Sequence, residues 1–124
     1  MTVNEKDWDL IKSGKKTMIL KKDKPQNIFY PFRVIVYISG NIGVVGKFDC
    51  DSIISTIRPA ELAEESCMSA KEIYKYSAGR SVCGWHVKAG SVAEYEKTFP
   101  IEEATGIKKA PFSWRYLNRI ESDG

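Results

Sequence analysis

Apolar residues recur at helical spacing over residues 5–13, where Trp8 and Ile11 fall on one face with Leu10 beside them, and Gly14 follows where a helix C-terminal glycine belongs. A short amphipathic helix is predicted there. Residues 17–20 form a brief apolar stretch that reads as a strand, and Lys24-Pro25-Gln26-Asn27 ends it with turn chemistry. After Pro31, residues 32–39 are a continuous β-branched and aromatic run, the pattern of a strand buried on both faces and the best candidate for the centre of a sheet. Gly40-Asn41 signals a turn, and residues 43–54 read as a second long strand, hairpin partner of the first, in which Gly46 marks a bulge or a close backbone approach.

Pro59 suits the first turn of a short helix over residues 60–64. Ser69-Ala70-Lys71-Glu72 matches a capping box, and Met68 is placed to staple onto Ile73, so a helix should run from there to about Gly79. Residues 81–88 alternate, with Cys83, Trp85 and Val87 on one face and Val82, Gly84, His86 and Lys88 on the other, as in a half-buried strand. A strand over 93–99, one helical turn from Pro100 to Gly106, and a final strand carrying Phe112, Trp114 and Tyr116 complete the prediction. Interspersed strands and helices of this kind predict an α+β fold: a small mixed β-barrel flanked by short helices.

The length of 124 residues and a hydrophobic content of 43% suit one domain over residues 1–124 with its own core. The apolar runs are too short to span a bilayer, and residues 1–5 lack the basic-then-apolar pattern of an export signal, so no membrane partner and a cytoplasmic location are expected. Cys50, Cys67 and Cys83 are odd in number and show no Cys-x-x-Cys pairing, which favours a reducing compartment. With His86 as the single histidine, no metal site and no cofactor are expected. The net charge of +3 is small, yet Lys12, Lys15, Lys16, Lys21, Lys22 and Lys24 crowd one segment, which is either a solvated surface or a patch for phosphate.

Three motifs fail on inspection. Ser13-Gly14-Lys15-Lys16-Thr17 ends like a phosphate-binding loop, but Asp9 stands where its first glycine is needed. Cys83 and His86 are three apart on a strand and point to opposite faces, so they do not make a thiol and base. Glu102 and Glu103 are adjacent and diverge on a helix, which leaves a solvated helix end.

Four segments, in this order, resemble the ASCH family of the PUA-like superfamily. Gly14-Lys15-Lys16-Thr17-Met18-Ile19-Leu20-Lys21 is similar to its Gly-x-Lys-Thr-x-Glu-x-Arg pattern. Arg33-Val34-Ile35-Val36-Tyr37-Ile38-Ser39, followed by Val44-Val45-Gly46-Lys47-Phe48, is like its central strands. Tyr74-Lys75-Tyr76-Ser77-Ala78-Gly79-Arg80 resembles its helix closing on Tyr-x-x-Gly, and Ala110-Pro111-Phe112-Ser113-Trp114-Arg115-Tyr116-Leu117 is close to its terminal Pro-Pro-Gln-Ser-x-x-Tyr-Leu. The resemblance implies a β-barrel with a cleft, binding of RNA or a modified nucleoside, and in some members hydrolysis by a lysine, a threonine and a glutamate. Lys16 and Thr17 match the first two, whereas Ile19 holds the glutamate position and Lys21 the arginine position. An isoleucine can neither accept a proton nor orient a nucleophile, so an intact hydrolase site is not expected.

The reading carried forward is a module that binds RNA or a nucleotide-like ligand in a lysine-lined cleft. Lys16 and Lys21 would contact phosphate, Tyr37 and Trp114 would stack on bases, and Ser39, Ser113 and Arg115 would supply polar contacts. Two alternatives stand beside it: an amidohydrolase on an acylated cytidine or a ribonuclease using Lys16 and Thr17, and a protein-interaction module with an exposed patch containing Trp8 or Phe112. The sequence does not set the oligomeric state.

Overall fold

The computed structural model describes residues 1–117. The chain opens with β1 (Thr2–Val3) and α1 (Glu5–Lys12), then β2 (Met18–Lys21), β3 (Phe32–Ile38) and β4 (Gly43–Thr56). A 3-10 turn (Pro59–Leu62), α2 (Ala63–Ser66) and α3 (Ala70–Ser77) lead to β5 (Val82–Val87), β6 (Ala93–Phe99) and α4 (Ile101–Thr105). Among the described residues no helix is long and apolar enough to cross a membrane.

The strands form one sheet in the order β1-β3-β4-β5-β2, with β6 also paired to β4. The β1–β3 pair is parallel and the other pairs are antiparallel, so the sheet is mixed. The predicted centre shifts by one strand: β4, not β3, lies at the middle. Its first half pairs with β3 on one edge and β6 on the other, and its second half pairs with β5. Register shifts at Val36/Tyr37, Val44/Gly46 and Cys50/Ser52 break the ladders, and each such irregularity bends and twists a strand. The result is a strongly curled half-barrel with four short helices packed around it.

Local chemistry explains the helix bounds. The Asn4 side chain accepts the Asp7 N–H at 2.7 Å to start α1, and Trp8 and Ile11 bury against the sheet. Ser69 and Glu72 exchange the two hydrogen bonds of a capping box at the start of α3, an arrangement worth about 1 kcal/mol. Met68 packs against the apolar cluster that contains Ile73.

Two apolar layers form. The main one, inside the curl, joins Trp8 and Ile11 to Ile19, Val34, Val36, Ile38, Phe48 and Trp85. A second layer of Met18, Leu20, Leu62, Ile73 and Val82 lies beneath the 3-10 turn, α2 and α3. This second layer corrects the half-buried reading of β5, whose Val82 and Gly84 are also buried. The Met18 thioether lies against Gly84 Cα, where any side chain would collide with it.

Two further expectations change. β1 carries no periodic signal in two residues, yet it occupies the outer edge of β3. The segment with Phe112, Trp114 and Tyr116 is not a strand. Its neighbour β1 is too short to pair with five residues, so contact reduces to Thr2, whose N–H donates to Ser113 O and whose hydroxyl donates to Pro111 O, both at 2.7 Å.

Candidate functional site

Along β3, Arg33, Ile35 and Tyr37 alternate with the core residues Val34, Val36 and Ile38 and turn to the opposite side. Together with Phe32 and Val34 from the core side of the same strand, they line a cleft of about 710 Å³, within the usual range for a small-ligand site. Residues 25–31 form one wall, α4 and residues 111–117 the other, and Trp85 reaches it from β5.

The cleft is strongly aromatic. Of its lining residues, Phe32, Trp85, Trp114 and Tyr116 make a continuous series of edge-to-face contacts with successive centroid separations of 5.7, 5.2 and 5.3 Å, and Tyr30, outside the lining, extends the series at 5.5 Å from Phe32. Such edge-on geometry favours each ring pair; Trp85 at the middle of the series is buried, while Phe32 and Trp114 are half-buried and Tyr116 is exposed. Arg33 and Arg115 are the only charged side chains lining the cleft among the described residues, and no aspartate or glutamate lines it. Irregular backbone is held in place by side chains: Trp114 Nε1 donates to Asp23 Oδ1 at 2.7 Å, and Tyr116 Oη accepts the Gln26 N–H at 2.7 Å.

The residues singled out from the sequence divide into two groups. Tyr37, Trp114 and Arg115 line the cleft, with Tyr37 buried and Trp114 partly exposed. Ser113 adjoins it and gives its carbonyl to Thr2, and Ser39 lies beyond the end of β3 with its N–H bonded to Val3 O. Lys16, Thr17 and Lys21 do not line it. The cleft is therefore lined by arginine, where lysine was expected.

Lys16 and Lys21 are buried elsewhere, at 3% and 9% exposure. The Lys16 ammonium donates to Ser66 O at 2.5 Å and lies 3.8 Å from Asp7 Oδ1; burial lowers its pKa, partly opposed by Asp7. Lys21 donates to Thr2 O at 3.1 Å, linking β2 to β1 across the open seam of the half-barrel. Burial brings its pKa down to about 8, with the Asp7 and Asp23 carboxylates opposing the shift. Lys12, Lys15, Lys22 and Lys24 are exposed.

A second polar group escaped the sequence reading. His86 Nδ1 lies 2.6 Å from Asp51 Oδ1, its Nε2 lies 3.7 Å from Glu65 Oε2, and the same Glu65 oxygen accepts the Thr17 hydroxyl at 3.4 Å. The strand parity that separates Cys83 from His86 holds: Cys83 faces the core and approaches Ser55 Oγ at 3.3 Å. Ile19, at the position expected to carry a glutamate, is buried in the main core. Among the described residues no cluster of histidine, cysteine and carboxylate side chains suits a metal ion.

Arg33 was legible as the one charge in an apolar strand, but its role needed the far wall of the cleft. Asp23 and Glu65 carried no signal, because their partners lie 91 and 48 residues away.

No protein-family model matches the sequence, and no curated protein matches it. Among solved structures, the crystal structure of the ASCH protein from Zymomonas mobilis superposes with a TM-score of 0.73 at 18% identity, covering 96% of this chain and 86% of that one. A serine-to-alanine mutant of the same protein gives a TM-score of 0.77 at 15% identity, covering 96% and 87%. A tyrosine-to-phenylalanine mutant gives 0.77 at 15%, covering 96% and 88%. At this identity the likeness is one of fold, and it extends over nearly the whole chain. The curled mixed sheet, its short helices and these superpositions together establish that the chain has the fold of an ASCH domain, a small α+β fold of the PUA-like kind.

Proposed function

We propose that the domain binds RNA or a nucleotide-like ligand, with a base held among the aromatic residues of the cleft and phosphate held by Arg33 and Arg115. The carrying observation is the composition of the cleft: aromatic walls, two guanidinium groups and no carboxylate. Aromatic faces accept any base, and a guanidinium can grip phosphate bidentately or stack on a base. With no carboxylate in its lining, the cleft presents an anion with guanidinium groups and no lining acid.

Trp85 and Trp114 both line the cleft, so intrinsic fluorescence reports directly on its occupancy. In a titration with a short single-stranded RNA, two phosphate contacts predict a salt slope of about −1.4 in log K against log salt. Arg115→Ala should halve that slope to about −0.7 and weaken binding. A slope near zero for the wild-type protein, or an unchanged slope in Arg115→Ala, would count against the proposal. Failure of RNA and of free nucleotides to bind at all would favour a protein partner, for which Phe29 and Phe112, at 91% and 102% exposure, offer contact surface.

A hydrolase is the second reading, favoured by one observation: Glu65 brings a carboxylate to Thr17 in place of the one missing at Ile19. Against it, the Lys16 amine is buried on Ser66 O. On an acylated cytidine the wild-type protein is expected to show no turnover above that of Lys16→Ala; turnover lost in Lys16→Ala would instead support hydrolysis.

A further inference from the structure

We infer that Asp23 is the positioning residue that sets the aromatic wall of the cleft, an inference that rests on the ligand reading above. It follows β2 by two residues, and both faces of the cleft meet on it. Its backbone carbonyl accepts Trp85 Nε1 from β5 at 3.1 Å, and its carboxylate accepts Trp114 Nε1 from the irregular segment at 2.7 Å. Two indoles are thus fixed by a single residue, with their rings 5.2 Å apart and inclined at 60°.

The need for such a residue follows from the backbone. Residues 111–117 have no ladder to hold them, and Thr2 anchors only Pro111 and Ser113. Beyond that point the side chains that should meet a ligand, Trp114 and Arg115, depend on side-chain bonds for their placement. The bond from Trp114 to a carboxylate is the shorter and charge-assisted kind, whereas Arg115 Nε reaches only its neighbour's carbonyl at 3.3 Å. Asp23 does not itself line the cleft, so its contribution is orientation.

The comparison of Asp23→Ala with Asp23→Asn isolates the hydrogen bond, because both remove the same charge and only asparagine keeps an acceptor. The indole N–H resonances of the three tryptophans provide a readout independent of ligand. In Asp23→Ala the Trp114 resonance should move upfield and exchange faster with water, while Trp85 keeps its backbone acceptor and buried Trp8 serves as control. Affinity for single-stranded RNA should fall about tenfold, the effect of one lost charge-assisted bond. Asp23→Asn, which keeps a neutral acceptor, should recover most of the resonance shift and of the affinity, with thermal melts confirming that both variants fold.

A Trp114 resonance unmoved in Asp23→Ala would overturn the positioning role, as would equal affinities of the alanine and asparagine variants. If the wild-type protein binds no RNA or nucleotide, the ligand reading falls and the positioning role falls with it; a moved resonance would then record only a structural bond.

Discussion

Gly46→Ala should destabilise the domain by about 3 kcal/mol, the upper end of what a forced overlap in a packed core costs. A Cβ at this position would overlap the carbonyl oxygen of Ala93 on β6 and come 2.8 Å from Trp8 Cζ2. Neither neighbour has room to yield. Ala93 is paired with Lys47 in the β4–β6 ladder, and Trp8 is 2% exposed between α1 and the sheet. Denaturant unfolding should show a lower midpoint, and a thermal melt should shift down by about 10 °C. A change below about 0.5 kcal/mol, the range of ordinary surface substitutions, would mean that α1 and β6 do not approach β4 as closely as described.

The second large effect concerns Lys21 and is read in the pH dependence of stability. Its folded pKa, about 8, lies below the ordinary 10.5 because the ammonium is buried at the barrel seam. Between those values the unfolded chain holds the proton more tightly than the folded one, so stability rises as pH rises. Below pH 8 the group is charged in both states and the full penalty of burial applies, about 3 kcal/mol. Lys21→Met removes that penalty but leaves Thr2 O without its partner, a loss of about 1 to 2 kcal/mol. The variant should therefore be more stable than wild type at pH 7 and lose that advantage towards pH 10.5. Lys16 is displaced in the same direction, so the variant keeps a smaller rise of its own. Parallel stability profiles for the two proteins across this range would contradict the assignment.

Both effects explain what the sequence could and could not disclose. Gly46 was readable as a close approach because a glycine inside a β-branched run has few other uses. The C-terminal glycine of α1, the capping box of α3, the Gly40-Asn41 hairpin and the bounds of β6 and α4 were readable for the same reason: local chemistry sets them. Lys21 was not readable as buried. Met18, Ile19, Leu20 and Lys21 are all buried, so the strand offers no alternation to tell which lysine of the cluster turns inward. In the fold Ile19 joins the main core and Met18 and Leu20 the second, and Lys21 reaches across the seam to β1.

The last segment shows the opposite limit. Phe112, Trp114 and Tyr116 alternate as a strand should, but pairing needs a partner edge of matching length, and β1 is two residues long. The alternation is put to another use: Trp114 and Tyr116 stack edge-to-face along the cleft, while Phe112 is left exposed. The cleft itself joins residues 25–37 to residues 101–117, a juxtaposition that no local pattern encodes. Three of its members, Tyr37, Trp114 and Arg115, were singled out through the resemblance of short motifs, and Arg33 joined them only once the far wall of the cleft was in place.

The most direct test of the central claim is to locate bound RNA on the chain. Short single-stranded RNA carrying a photoreactive base would be cross-linked to the wild-type protein at low salt, and the modified peptides mapped by mass spectrometry. The cleft predicts adducts in residues 25–37 and 111–117, with Trp114 and Tyr116 foremost. Adducts confined to residues 12–24, where the exposed lysines lie, would contradict it.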